Sequence, residues 1–404
     1  MLKTYKERAL YTSKIKPFIN KSLIKIITGQ RRVGKSYLLF QLIDYLKKQN
    51  INEKRILYIN KELYKFDRIK TYIDLLKYIK EYFKNVRSKK YVFIDEIQDI
   101  RNFEKALRDL QTDESYDIYC TGSNANLLSS EIATGLSGRY IEFQVYPLSY
   151  LEFLDFHNFK NDKFSLEKYI RYGGLPYLIH LEMEDEIIYG YLKSIYNSIV
   201  LKDIVSRYEV RNIDFFNRLV IFLAEHTGSL FSAKKISDYL KSQKMSISPG
   251  VVLNYLTYLN SAYFIFQVKR MDIIGKRIFQ INEKYYFNDL GIRHSMIGFN
   301  QMHINKILEN LVYIHLRRLG YEVKVGCLNE LEIDFVAHKK DIKIYVQTAY
   351  ILENEKTRKR EFNSLLSIND NYRKVLISMD EISGGNYEGI EHMHISDFLS
   401  SMDF

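Results

Sequence analysis

Between residues 20 and 145, short apolar runs alternate with stretches in which hydrophobic residues recur every three or four positions. That alternation predicts an open parallel sheet, an α/β arrangement with helices between the strands. The runs cover residues 23–27, 55–59, 91–94, 118–121 and 141–145. Each is short and β-branched or aromatic, as suits a strand covered on both faces. Between the first two, Leu38, Leu39, Leu42, Ile43 and Leu46 repeat at helical spacing. After Pro147 the pattern turns predominantly helical, punctuated by Gly173, Gly174 and Pro176, with a long mixed-charge helix expected over 191–211.

Residues 214–290 read as a separate small unit. Helical stretches at 215–226 and 233–244 precede Ser248-Pro249, an N-cap followed by proline at the first helical position. A third helix would run through Val251, Val252, Tyr255, Leu256 and Leu259, and strand-like runs follow at 264–269 and 278–287. Three helices and a hairpin in that order predict a winged helix-turn-helix. From about 303 the α/β pattern returns, with an amphipathic helix through Leu308, Val312 and Leu316 and strand-like runs at 322–325, 333–337 and 342–347. The expected domains are therefore 1–150, 151–213, 214–298 and 299–404. No internal repeat is visible.

Composition narrows the classes. A chain of 404 residues exceeds one ordinary core. A hydrophobic share of 46% with 27% charged residues excludes long disorder. The net charge of +11 makes double-stranded DNA a legitimate partner, because basic surfaces release counterions from phosphate polymers. The two cysteines, Cys120 and Cys327, are too few and too far apart for a disulfide framework or a cysteine zinc site. Nor do His226, His315 and His338 stand at metal-ligand spacing. The first residues lack the apolar block of a signal peptide, and no run approaches the ~18 apolar residues of a spanning helix. A cytoplasmic protein is expected.

The chemistry is concentrated early. The run at 23–27 leads into Gly29-Gln30-Arg31-Arg32-Val33-Gly34-Lys35-Ser36, and a helical pattern starts directly after it. This is a complete P-loop pattern in the strand–loop–helix setting it requires. Gly29 and Gly34 permit torsions that turn backbone N–H groups toward phosphate oxygens, and the helix N-terminus adds partial positive charge. Lys35 would reach the β- and γ-phosphates of ATP, and the Ser36 hydroxyl would ligate Mg²⁺. The run at 91–94 ends in Asp95-Glu96, delivering two carboxylates to the sheet edge where ligands of open α/β sheets bind. Asp95 would hold the magnesium shell and Glu96 would polarise the attacking water. Ser123, in the Gly122-Ser123-Asn124 turn, could sense the γ-phosphate or cap a turn. Arg139 could stabilise transition-state charge, within its own chain or on a neighbour, or simply form an ion pair.

The motifs Gly29 to Ser36, Asp95-Glu96, Thr121-Gly122-Ser123, Leu136-Ser137-Gly138-Arg139, Val145-Tyr146-Pro147-Leu148-Ser149 and Tyr172-Gly173-Gly174-Leu175-Pro176 occur together. In this the chain resembles a large prokaryotic family of AAA-type ATPases whose C-terminal half is a domain of unknown function. The resemblance spans nearly the whole chain. It implies an ATPase core, a winged helix, and a C-terminal module similar to the PD-(D/E)xK nuclease fold; the helical stretch 151–213 reads as a lid or linker region.

A magnesium nuclease of that fold needs carboxylates from a helix and two strands, plus a lysine near the attacking water. Glu309 and Asp334 match two of these, but Gln347 and Ala349 stand where an acid and a lysine belong. Glu332 could replace a ligand, and Lys356 or Lys359 could swing in from the next helix. The module therefore reads as a degenerate nuclease that binds DNA or a protein partner. The third helix of the winged unit is largely apolar, with Asn254 and Thr257 as its few polar positions. Lys241, Lys244, Lys269, Arg270 and Arg277 would lie near phosphates. Three functions follow: an ATP-driven DNA-associated machine, a nucleotide-gated protein-interaction switch with little turnover, or an active Mg²⁺-dependent nuclease. The oligomeric state stays open.

Overall fold

A computed structural model describes residues 5–125, 136, 138–242, 247–275, 282–352, 355–381 and 385–404. Ser137, Lys244, Arg277, much of the 278–287 run and the Lys356 side chain lie outside these. The chain divides into two compact units, Met1–Tyr146 with Ser261–Tyr263, and Pro147–Asn260 with Phe264–Phe404.

The first unit is built on strands β1 (Ile24–Thr28), β2 (Ile56–Asn60), β3 (Lys90–Asp95), β4 (Tyr116–Gly122) and β5 (Tyr140–Gln144). They form a parallel sheet in the order β2-β3-β4-β1-β5. Each expected run became a strand, displaced by a residue or two at its ends. One face is lined by alternate residues of neighbouring strands: Ile24 and Ile26, Leu57 and Ile59, Val92 and Ile94, Ile118 and Cys120. Leu75 and Ile79 of the helix Tyr72–Tyr82 cover that face, with Ala106, Leu107 and Leu110 of the helix Phe103–Thr112. Thr71 and Asp74 form a capping box that sets where the first of these helices starts. Burying the Cys120 thiol pushes its pKa up to about 12, so it stays an inert core thiol. Cys120 and Cys327 are both free and buried.

Strand order has a direct consequence for function. Because β4 lies between β1 and β3, the residue leaving β4 is placed between the loop leaving β1 and the carboxylates leaving β3. All these strands run the same way, so their C-terminal ends gather on one edge.

The second unit opens with the helices Tyr150–His157, Lys163–Tyr172 and Asp185–Ser198. The last continues through a π-helical stretch, Ile199–Val205, into Ser206–Tyr208. The helix expected over 191–211 thus starts earlier and contains a change of pitch. The helices Ile213–Glu225, Ala233–Ser242 and Pro249–Ser261 stand where the pattern placed them. Strands β6 (Ile265–Val268) and β8 (Lys284–Phe287) pair antiparallel as a two-stranded sheet. Between them in sequence, β7 (Arg270–Asp272) leaves the hairpin and pairs parallel with β9 (Glu322–Leu328).

The helices Leu290–Ile297 and Ile304–Arg318 lead to β9, β10 (Leu331–Lys339), β11 (Ile342–Thr348), β12 (Arg373–Ser378), β13 (Asn386–Tyr387) and β14 (Ile390–His394). With β7 these make a seven-stranded mixed sheet, ordered β13-β14-β12-β11-β10-β9-β7. Among the described residues, no helix is long and apolar enough to cross a membrane.

Candidate functional site

At the end of β1 the backbone makes a loop that few residues tolerate. Gly29 has φ 143° and Gly34 φ 97°, and Arg32 between them takes φ 70°. A Cβ at Gly29 would lie 2.3 Å from the Val145 carbonyl oxygen, so only glycine fits. The helix Lys35–Lys48 starts directly after Gly34. The Lys35 ammonium is buried and donates to the carbonyls of Gly29 and Gln30, each at 3.0 Å. A charged lysine thus folds back over its own loop.

The loop is braced from outside. Arg8 is 2% exposed and donates from Nη1 to the Val33 carbonyl (2.8 Å) and the Tyr146 carbonyl (3.0 Å). Sequence reading passed over Arg8, because one arginine in a basic N-terminal stretch carries no local signal. Arg31 reaches sideways to Glu62 at 2.8 Å, whereas the Arg32 side chain is exposed.

Across the sheet edge, Asp95 accepts from the Tyr58 hydroxyl at 2.8 Å and from the Thr121 hydroxyl. The Ser36 hydroxyl also lies near enough to favour its charged form. Burial raises its pKa, against these three hydroxyls, which favour the carboxylate. Glu96 sits at φ 56°, a left-handed conformation costly for a residue with a side chain, and its N–H is tied to the Thr121 hydroxyl at 3.0 Å. That turn aims its carboxylate at Lys35 (3.9 Å), at the Ser123 hydroxyl (3.2 Å) and at the Gln98 amide. Burial alone would raise the Glu96 pKa. The charges of Lys35 and Arg31 and the two hydrogen bonds outweigh it and hold the pKa below the ordinary value. Gln98 was not singled out by any motif, yet its amide also lies 3.4 Å from Ser123.

The structure therefore brings Lys35, Ser36, Asp95, Glu96 and Ser123 together. It does not bring Arg139 to them. Arg139 precedes β5, whose first residue Tyr140 pairs with Ile24 at the start of β1, while the loop follows Thr28 at its end. Five strand residues at about 3.3 Å each separate the two edges, roughly 16 Å. Arg139 stands exposed on the opposite edge from the loop of its own chain.

A family model described as an AAA domain matches residues 21–154, which contain the loop and both carboxylates. An uncharacterised protein of Haemophilus influenzae is 39% identical over 99% of this chain and 100% of its own length. The chain belongs to this AAA family. A second model, a domain of unknown function (DUF8612), matches residues 163–303 of the AAA protein. An uncharacterised protein of Methanocaldococcus jannaschii, MJ1544, is 32% identical over 93% of the chain and 85% of its own length. Among solved structures, a DNA polymerase III gamma subunit-related protein from Thermotoga maritima is similar at TM-score 0.31 and 14% identity, over 62% of this chain and 99% of that one. It is a nucleotide-binding, ATPase-like protein by family.

The residues present fit a magnesium nucleotide. The site combines a glycine loop at a helix N-terminus, a buried ammonium, and a hydroxyl beside a buried carboxylate.

In the second unit of the AAA protein, Glu309 and Asp334 converge with Glu332. Gln347 does not join them. Its side-chain Oε1 accepts from the Asp334 N–H at 3.1 Å and its side-chain Nε2 donates to Glu361 at 3.3 Å. Ala349 is buried in an apolar cluster with Phe362 and Leu365. Burial and the neighbouring Glu309 carboxylate push the Asp334 pKa up to about 6. Glu309 is held below its ordinary value despite burial, by the charges of Lys284 and Lys306.

Of the basic residues expected near phosphates, Lys241 and Lys269 are exposed. Arg270 instead turns its guanidinium onto the Cys327 sulfur at 3.1 Å. On the helix Pro249–Ser261 the exposed residues are Pro249, Gly250, Leu253, Asn254 and Thr257. The Thr257 hydroxyl bonds back to the Leu253 carbonyl at 2.9 Å.

Proposed function

We propose that this AAA protein is a Mg²⁺-dependent ATPase that couples nucleotide binding and hydrolysis to DNA association or domain rearrangement. The observation that carries the proposal is the buried Lys35 ammonium, folded over the loop carbonyls and 3.9 Å from Glu96, with the Ser36 hydroxyl beside the Asp95 carboxylate. A hydroxyl from the loop's helix beside a carboxylate from a neighbouring strand supplies two oxygen ligands for one small cation.

When bound, Mg²⁺-ATP supplies an activated phosphoryl group whose charge the metal spreads. Ser36 and Asp95 would hold the cation. Lys35 would exchange its loop carbonyls for phosphate oxygens, with backbone N–H groups of Gly29 to Gly34 lining the other side. Glu96 is fixed as a carboxylate by Lys35 and Arg31, so it can accept a proton from a water. Ser123 and Gln98 hold that carboxylate in place. Arg139, on the far edge, would reach a phosphate only on a neighbouring copy.

Residues 214–298 read as a winged helix, and the net charge of +11 supports a double-stranded DNA partner. The thin polar row on the helix Pro249–Ser261 favours backbone contact over base readout. The alternative is a nucleotide-gated protein-interaction switch with little turnover. The C-terminal module reads as a degenerate PD-(D/E)xK fold that does not cut DNA.

The test is phosphate release from ATP with Mg²⁺, with EDTA, and with double-stranded DNA at low salt. Release that needs Mg²⁺ and rises with DNA supports the whole proposal. Tight ATP binding with negligible release at every DNA concentration would favour the switch, and no ATP binding at all would overturn both.

A further inference from the structure

The nucleotide reading leaves one buried constellation unused. On β8, the Lys284 ammonium lies 2.5 Å from Glu309, 2.7 Å from Glu332 and 3.6 Å from Asp334. Glu309 comes from the helix Ile304–Arg318, and Glu332 and Asp334 from β10, so three elements meet at one nitrogen. Lys284 is 1% exposed. Its ammonium donates to Glu309 Oε1 and is the ion-pair partner of Glu332 and Asp334, one buried positive charge shared by three carboxylates.

Glu309 and Asp334 have further partners. Glu309 Oε1 also accepts from the Tyr286 hydroxyl at 2.5 Å, and Oε2 from Lys306 at 2.8 Å. Asp334 Oδ2 accepts from the Thr348 N–H (2.9 Å) and hydroxyl (2.6 Å). A divalent ion such as Mg²⁺ demands near-octahedral oxygen ligation at about 2.0–2.1 Å, and these carboxylates are instead turned onto a buried ammonium. Among the described residues, no group of three acidic, histidine or cysteine side chains is arranged to hold a metal.

Next to Glu309, Asn310 clasps the strand that carries the lysine. Its side chain accepts from the Phe287 N–H and donates to the Phe287 carbonyl, both at 2.8 Å. The cluster therefore anchors β8 at both ends.

We propose that Lys284 is the resident cation of this carboxylate cluster, standing where a metal nuclease would hold its divalent ion. The module then serves as a metal-free dock for the β6–β8 hairpin. This rests on reading the C-terminal module as nuclease-like. The residues do not fit the metal which that fold implies, and no cutting step passes through them. Removing the lysine alone leaves carboxylates buried without their counter-charge, which is costly unless another cation enters.

The experiment uses the full chain, stripped with chelator and free of nucleotide, and counts bound Mn²⁺ by electron paramagnetic resonance. Wild type, Asp334→Asn and Glu332→Gln should bind equal amounts of Mn²⁺. Lys284→Ala should bind one ion more than wild type, and adding Asp334→Asn to it should remove that ion.

Should Lys284→Ala fail to fold, the comparison of wild type with Glu332→Gln decides alone. Equal counts uphold the proposal, and an ion lost on Glu332→Gln overturns it. A folded Lys284→Ala that gains no ion also overturns it. Plasmid nicking by the same samples separates the two readings. Mn²⁺ bound by the wild-type cluster without nicking overturns the lysine proposal and leaves the degenerate module standing, whereas Mn²⁺ with nicking overturns both.

Discussion

Two side chains carry most of the nucleotide argument. Lys35 makes two hydrogen bonds to loop carbonyls and would trade them for bonds to charged phosphate oxygens, each worth roughly 1.5–3 kcal/mol. Lys35→Ala is therefore expected to weaken ATP binding on the order of 100-fold or more in a fluorescent-nucleotide titration. A change under threefold would remove Lys35 from the phosphate site. Glu96→Gln keeps the shape and the Ser123 contact but cannot take a proton. It should leave ATP affinity within a few-fold and lower the turnover rate by about 10²–10⁴. Turnover at the wild-type rate would show that another group handles the water.

The loop and the acid pair were legible in the sequence because each position is dictated by backbone geometry or charge. The brace from Arg8 and the clasp from Gln98 were not legible. The Arg8 brace joins distant segments, and Gln98 reaches Glu96 only through the left-handed turn at Glu96, which no local pattern records.

At the scale of elements, the glycines separate packing from propensity. Gly291 lies in the helix Leu290–Ile297, where a Cβ would come 1.9 Å from the Tyr172 carbonyl oxygen. Gly174, nearby, donates its N–H to Asp289 at 2.8 Å, and a Cβ there would sit 2.5 Å from the Leu148 carbonyl. Gly190 sits mid-helix in Asp185–Ser198 with open space around it. Gly291→Ala should lower the urea midpoint of the second unit by an amount equal to several kcal/mol. Gly190→Ala should raise stability by about 0.5–1 kcal/mol. Equal effects from the two would mean that the close backbone approach is not real.

Strands buried on both faces announced themselves as apolar runs, and so did β9 to β11. The later strands β12 to β14 were missed. Arg373-Lys374 in β12, and Glu391 with the polar histidines of β14, break the apolar runs and hide their period. The exit of β7 from the hairpin was also invisible, since pairing with β9 is a long-range choice that no local pattern records.

For the molecule as a whole, the second unit carries buried titratable groups of opposite sense. Burial pulls His294 and His315 down to about 3. In the unfolded chain each histidine titrates near 6.5. Between pH 6.5 and 3 the unfolded state therefore holds more protons, and the stability these neutral imidazoles contribute is lost as pH falls through that window. Asp289 works the other way. Burial pushes it up to about 6, despite the N–H groups of Gly174 and Ile292 that bond its carboxylate. Between pH 6 and about 4 the folded state holds its proton, so stability rises as pH falls.

Asp334, also pushed up to about 6, releases a proton on unfolding as Asp289 does, so between pH 6 and about 4 the two aspartates offset the two histidines, and removing the histidines isolates their share. In His294→Asn/His315→Gln only the two aspartates remain of these four. The double variant should be less stable than wild type at pH 7, where each side chain loses part of its packing. The gap should close on acidification, by roughly 1.4 kcal/mol per histidine for each pH unit well below 6.5. Urea denaturation of both proteins at pH 7, 6, 5 and 4 measures this directly. A gap that stays constant would mean that the two imidazoles titrate in the folded protein as they do in water.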